Sequence, residues 1–161
     1  MNENAENKCL IFGIGNYGRQ DDGLGWEFLD GLNELKFKNV SLEYRYQLQI
    51  EDAELIGDFD MVIFVDASKN ELENGYTWET CARSNTHSFS THALVPETIL
   101  YLAEQLYHHK PKAYVLAIQG YQWELENGLS KNAQENLNKA RAYFTNRILD
   151  RILNDAQPKL P

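Results

Sequence analysis

The sequence of 161 residues has only two cysteines, no basic excess and no long apolar run. Two cysteines cannot build the disulfide framework of a small secreted domain. The 24 acidic and 15 basic residues give a formal net charge of −9, which argues against nucleic acid and anionic membranes as partners. No apolar stretch approaches the roughly 20 residues that span a bilayer, and residues 1–8 lack the apolar core of a secretory signal. We therefore expect a cytoplasmic protein.

The chain does contain enough apolar material for one core. Hydrophobic residues make up 43% of it, with three Trp, nine Tyr and seven Phe. A chain of this length usually forms one domain. We predict a single domain over residues 1–161, with an ordered core from residue 8 to residue 153 and polar termini. Cys9 is expected to be buried in the first strand and Cys81 to lie on an edge strand.

Apolar runs and helical periodicities alternate along the chain, as they do in α/β proteins with a parallel sheet. Short apolar runs predict buried strands, and alternation of polar with apolar residues predicts half-exposed ones. The predicted strands are Cys9–Ile14, Val40–Leu48, Met61–Val65, Tyr76–Thr80 and Ala113–Ile118. The predicted helices are Leu24–Leu35, Asp52–Ile56, Pro96–Tyr107 and Ser130–Leu153, the last with Ser130 as its N-cap. The pattern predicts a mostly parallel twisted sheet with helices on both faces and Tyr76–Thr80 at an edge.

Three residues of metal-binding type follow predicted strands: Asp22, Asp66 and His92. The carboxyl ends of parallel strands meet at one edge of a sheet, so these residues are expected to converge. Two carboxylates and an imidazole suit a borderline divalent ion such as Ni²⁺, Zn²⁺ or Co²⁺. Each residue also has a structural interpretation: Asp21 or Asp22 could cap the following helix, Asp66 a turn and His92 a helix start. Their expected position at the same edge of the sheet favours a shared metal-binding site.

The loop after the first strand is rich in glycine. Gly13, Gly15 and Gly18 have the spacing of a dinucleotide-binding turn, but Asp21 and Asp22 stand where a phosphate would bind and would repel it. Glycines beside paired acids instead indicate a backbone that can approach a ligand closely. We predict that Gly13, Gly15, Asn16 and Asp21 form a substrate-binding loop.

Other catalytic patterns are missing from the sequence. It has no nucleophile elbow and no His-Glu-x-x-His helix. Two alternatives stay open: a nickel-binding or docking protein without hydrolytic activity, and a phosphoacceptor receiver-like domain. The receiver interpretation is weakened because Gln119-Gly120-Tyr121 supplies no lysine after the last strand.

Four motifs together resemble those of the hydrogenase maturation endopeptidases. The opening Gly13-Ile14-Gly15-Asn16 is followed by Asp21-Asp22-Gly23-Leu24-Gly25. The others are the strand-end Asp66-Ala67, then Ser90-Thr91-His92 before a leucine-rich helix, then Ile118-Gln119 with Gly128-Leu129-Ser130 opening the last helix. Their order and spacing extend over residues 8–153.

The resemblance implies a three-layer α/β sandwich with one antiparallel edge strand. It implies an endopeptidase that removes a C-terminal extension from the large-subunit precursor of a nickel–iron hydrogenase. Nickel would be carried by that precursor, and Asp22, Asp66 and His92 would be both the metal-binding and the catalytic residues. The general base, the cleavage sequence and the oligomeric state are left open.

The chain departs from the family pattern in three places. Gly18 and Gln20 are unusual in the opening loop. Residues 47–50, Gln-Leu-Gln-Ile, stand where many members have an Asp-Gly-Gly-Thr turn linked with substrate choice, so the particular hydrogenase is open. His87 lies in an unusual loop near His92 and could add a ligand.

Overall fold

The protein folds as a five-stranded sheet covered by helices on both faces. The structure is a computed structural model that describes residues 7–84 and 94–155. The strands are β1 (Cys9–Ile14), β2 (Val40–Arg45), β3 (Met61–Ser68), β4 (Tyr76–Thr80) and β5 (Lys112–Gln119). The helices are α1 (Leu24–Asn33), α2 (Glu51–Leu55), α3 (Pro96–Tyr107), α4 (Lys131–Tyr143) and α5 (Asp150–Asp155). Short 3₁₀ segments span Tyr17–Gly23 and Ile56–Asp58, and a π-helical segment spans Phe144–Leu149.

The strand order is β2-β1-β3-β5-β4. β1 is parallel to β2 and β3, and β3 is parallel to β5, whereas β4 pairs antiparallel with β5 at the edge. Two apolar layers enclose the sheet. One contains Phe28 of α1 and Leu137 of α4, and the other contains Ile99 and Leu100 of α3. The predicted α/β fold, with helices on both faces and one antiparallel edge strand, is confirmed.

Most predicted elements agree with the structure in position. α3 begins at Pro96 and ends at Tyr107 as predicted, because proline fits the first helical turn and His108 adopts a left-handed conformation (φ 58°) that ends the helix. Ser130 caps α4 by accepting a hydrogen bond from the backbone N–H of Ala133 at 3.2 Å. Cys9 is buried in β1, as expected.

Several predicted boundaries are wrong. β2 ends at Arg45 rather than Leu48, which instead forms an isolated bridge with Leu94. α1 ends at Asn33 rather than Leu35, whose side chain is exposed. Cys81 is buried but follows β4 rather than lying in it, and its N–H donates to the Ala113 carbonyl at 2.8 Å. Periodicity detects the apolar face of an element, whereas hydrogen bonding decides where the element ends.

The C-terminal helix also differs from its prediction as one regular helix. The hydrogen bonding changes to a π-helical pattern at Phe144 and returns to an α-helix at Asp150. The helix continues to Asp155, past the predicted end of the ordered core at residue 153, while residues 156–161 lie outside the described part of the chain. Within residues 7–84 and 94–155, no helix is long and apolar enough to cross a membrane.

Helix α1 packs very closely on the carboxyl ends of β1 and β3. A Cβ atom at Gly25 would lie 2.6 Å from the Val65 carbonyl oxygen and 2.7 Å from that of Ile14. These contacts are with backbone atoms, which cannot rotate away. Glycine at this position therefore lets α1 begin directly above the strand ends, where the opening loop must turn.

Gly25→Ala should destabilise the protein by about 2 kcal/mol or more, because the added methyl group clashes with two carbonyl oxygens. In an open helix the same substitution would stabilise by about 1 kcal/mol. The matched control is Gly31→Ala in the same helix, where the three atoms nearest the new Cβ belong to the Arg141 side chain rather than to backbone, the closest at 3.1 Å. Urea unfolding measures both variants, and a Gly25→Ala variant as stable as the control would contradict the close packing.

Candidate active site at the carboxyl edge of the sheet

Asp66 lies near the carboxyl edge of the sheet, but inside β3 rather than after it as predicted, because the strand continues to Ser68. In register it is opposite Ile14 of β1 on one side and Ala117 of β5 on the other. Residues 15–23, 69–75 and 120–130 leave the sheet at this edge. A side chain on the central strand β3 is held firmly, because both neighbouring strands fix its backbone by hydrogen bonds.

The opening loop folds back onto itself before α1 begins. The Asn16 side chain accepts a hydrogen bond from the Gly18 N–H at 2.8 Å, and the Asn16 N–H donates to the Asp22 carbonyl at 3.0 Å. Gly15 has φ 146°, and a Cβ there would lie 1.9 Å from that same carbonyl oxygen. Gly15 and Asn16 thus hold the backbone of Asp22. That they also contact a substrate stays a prediction, as it does for Gly13.

Asp21 is fully buried and connects the opening loop to the loop before α4. Its carboxylate accepts hydrogen bonds from the N–H groups of Tyr121 at 2.7 Å, Gln122 at 2.9 Å and Ser130 at 2.7 Å, and from the Ser130 hydroxyl at 2.7 Å. Neither Asp21 nor Asp22 caps α1, whose N-cap is Gly23 without a side-chain bond, so the helix-cap interpretation of the pair is wrong. The substrate-loop prediction for Asp21 stays untested, although its hydrogen bonds are internal.

Gln20 has a backbone conformation that favours glycine, with φ 50° and ψ −116°. The loop before α4 holds it there: its N–H donates to the Glu126 carbonyl at 2.8 Å, and its side-chain oxygen accepts from the Glu124 N–H at 2.9 Å. This turn directs Asp21 inward beneath the second loop. Asp22, the next residue, is half-buried at the rim.

Asp22 and Asp66 lie close enough to interact electrostatically. The pKa of Asp66 is raised to about 7, first by burial and then by the Asp22 carboxylate, while the Ala67 N–H partly opposes both effects. Burial also raises the pKa of Asp22, while Arg19 and Lys69 act to lower it. These two carboxylates therefore lie near each other at one edge of the sheet, whereas the convergence of Asp22, Asp66 and His92 on one metal ion stays a prediction.

The acid pair fits a divalent cation chemically. Two like charges in a partly buried position oppose each other, and a cation bound between them would offset both the repulsion and the cost of burial. His92 and His87 fall in residues 85–93, outside the described part of the chain. Among the residues that are described, no third His, Cys or carboxylate completes a metal-binding group with this pair. The ligand role of His92 therefore stays a prediction.

Sequence reasoning missed two cations that act on Asp22 and a tryptophan that both of them contact. Arg19 and Lys69 come from different loops, and Trp123 comes from the loop before α4. The Arg19 guanidinium donates to the Trp123 carbonyl at 3.4 Å, and the Lys69 ammonium lies 5.2 Å from the centre of the Trp123 ring. One signal was available, because Arg19 stands three residues before Asp22 and Lys69 three residues after Asp66.

Asp66→Asn should stabilise the protein at pH 8. A folded-state pKa of about 7 lies above that of the unfolded chain. The ionised carboxylate therefore destabilises the fold increasingly between about pH 4 and pH 7 and fully above pH 7. We expect a gain of about 1–3 kcal/mol at pH 8 that shrinks towards zero near pH 4.

Urea unfolding over this pH range tests the expectation. Asp58→Asn, which removes an exposed carboxylate from the 3₁₀ segment at Ile56–Asp58, is the control and should change stability by less than about 0.5 kcal/mol. An Asp66→Asn gain that did not depend on pH would contradict the raised pKa of Asp66.

Neither a protein-family model nor a curated protein sequence matches the chain. Solved structures do match it. The hydrogenase maturation protease HycI from Thermococcus kodakarensis superimposes with a TM-score of 0.69 at 22% identity, covering 93% of this chain and 94% of its own.

Two further structures give similar values. The hydrogenase maturating endopeptidase HybD from E. coli has a TM-score of 0.68 at 18% identity, with 86% of this chain and 93% of its own covered. The hydrogenase 2 maturation peptidase from Thaumarchaeota archaeon SCGC_AB-539-E09 has a TM-score of 0.64 at 18% identity, with 89% and 99% covered. The resemblance predicted from the four motifs is thus confirmed in the architecture, and the chain has the fold of the hydrogenase maturation endopeptidases.

Proposed function

We propose that this protein is an endopeptidase that removes a C-terminal extension from the nickel-loaded large-subunit precursor of a nickel–iron hydrogenase. The observation that carries the proposal is the Asp22–Asp66 pair at the carboxyl edge of the sheet. Solved structures with the same fold carry the names of hydrogenase maturation proteases.

Asp66 and Asp22 suit the recognition of a metal carried by the substrate. Asp66 is positioned by a central strand, and Asp22 by a loop that Asn16, Gly15 and Asp21 hold in place. His92 would complete the ligand set, as the sequence motifs imply. Two fixed carboxylates beside a third ligand would hold the precursor so that its extension lies over the site. Nickel carried by the precursor would polarise the carbonyl group to be cut or a water molecule.

Two other functions were open from the sequence. A receiver-like domain uses the all-parallel strand order 2-1-3-4-5, whereas β4 here is an antiparallel edge strand, so this alternative loses its support. A nickel-binding or docking protein without hydrolytic activity would use the same carboxylates. It is distinguished from an endopeptidase by binding the precursor without shortening it.

The purified chain should shorten a nickel-loaded large-subunit precursor and leave the metal-free precursor intact, since the metal supplies the charge that the acid pair recognises. Intact-mass spectrometry of the precursor before and after mixing measures the loss of its C-terminal peptide. Binding of the loaded precursor without cleavage would favour the docking function. Equal cleavage of both forms would contradict recognition through nickel.

Asp66→Asn and His92→Ala should each lower the rate of precursor cleavage by about 100-fold or more, because each removes a proposed ligand. The matched control is His108→Asn, which changes a histidine at the end of α3 and keeps a residue type that tolerates its positive φ. Circular dichroism confirms that each variant is folded. A His92→Ala variant with wild-type activity would remove His92 from the proposed site.

A further inference from the structure

Two positive side chains flank the acid pair in a chain whose net charge is −9. Arg19 and Lys69 are both exposed, and both act to lower the pKa of Asp22. They come from separate loops and meet at Trp123, Arg19 through the Trp123 carbonyl and Lys69 over its ring. Two cations therefore lie next to Asp22 at the rim, although the protein as a whole is acidic.

The Trp123 ring, which Lys69 contacts, also packs against the loop backbone. It packs over Gly120, where a Cβ would lie 2.9 Å from the ring edge and 2.7 Å from the Cβ of Asp21. The backbone on either side of Gly120 is held by Ser68 through a 2.9 Å bond and by Asp21. An aromatic ring packed in this way gives the flexible Lys69 side chain a preferred position beside the acid pair.

Internal ion pairing does not account for Arg19 and Lys69. In the described residues, neither lies within 4.0 Å of a carboxylate oxygen, whereas Arg45 pairs with Asp52 at 2.9 Å and Lys110 with Glu104 at 3.1 Å. A metal cation at the acid pair would repel both side chains. The exposed Arg19 and Lys69 side chains beside this metal position are therefore suited to a negatively charged ligand.

We propose that Arg19 and Lys69, supported by Trp123, form a subsite for a carboxylate of the peptide segment that is removed. This rests on the proposed function. A segment cut from the end of a chain always carries the free α-carboxylate, and it can also carry Asp or Glu side chains. Arginine can bind a carboxylate through two parallel N–H donors, and the lysine ammonium adds a third contact. The subsite would select a short, negatively charged leaving segment.

The test compares cleavage of three nickel-loaded precursors: the native form, one with an amidated C-terminus, and one with the acidic side chains of its extension changed to amides. The wild-type chain should lose about tenfold in kcat/KM on the form that lacks the recognised carboxylate, mostly through a higher KM. The form that causes the loss identifies whether the α-carboxylate or a side chain is bound.

The double variant Arg19→Gln/Lys69→Gln distinguishes substrate binding from a general effect on Asp22. Its kcat/KM on the native precursor should be about tenfold lower than that of the wild type. Removing the recognised carboxylate from the precursor should lower the kcat/KM of this variant little further, because the side chains that bind the carboxylate are already absent. Lys139→Gln, which changes an exposed lysine of α4, is the control and should cleave all three forms as the wild type does.

Two results would overturn the subsite. One is equal cleavage of all three precursors by the wild-type chain. The other is an equal loss by the double variant on all three, which would mean that the cations act only through Asp22. Failure of the proposed function would look different, because the wild-type chain would then cut none of the precursors.

Discussion

The geometry of the candidate site depends on the buried carboxylate of Asp21. It accepts four hydrogen bonds from a loop about one hundred residues further along the chain, and it is completely shielded from water. A buried charge is tolerated only when its hydrogen-bonding capacity is filled, and hydrogen bonds to a carboxylate are stronger than neutral ones. This single group joins the opening loop to the loop before α4, and both loops surround Asp22.

The position of Asp21 has consequences for its neighbours. Gln20 must adopt a conformation that favours glycine, and its contacts with Glu124 and Glu126 offset that strain. Arg19, two residues before Asp21, is brought against Trp123. Asp22, one residue later, is left at the rim beside Asp66. Local strain that is maintained by surrounding contacts is a common feature of functional sites.

The charges at the rim act in opposition. Asp22 and Asp66 raise the free energy of the folded state because they are near each other and partly buried, and the pKa of Asp66 near 7 reflects this. Arg19 and Lys69 lie close enough to favour the ionised form of Asp22. This arrangement destabilises the folded protein at the site, and a bound ligand of opposite charge would offset the loss of stability.

Much of the fold followed from local patterns. β1 and the first part of β3 are apolar runs because they are buried on both faces, and Pro96 and Ser130 mark helix starts by their own chemistry. The boundaries that failed, at Arg45, Asn33 and Phe144, depend on hydrogen bonds that periodicity does not encode. Asp22 and Asp66 could be predicted as neighbours, since carboxyl ends of parallel strands share an edge.

The sequence by itself determined the class of fold, the edge at which the acids meet and the resemblance carried by the four motifs, because these depend on residue type and spacing along the chain. Only the tertiary structure decided that Asp21 is an internal connector rather than a helix cap, and that Arg19 and Lys69 meet at Trp123. These contacts join residues that are tens to about a hundred positions apart. Such pairings arise from the packing of loops against one another, which no local pattern of residues specifies.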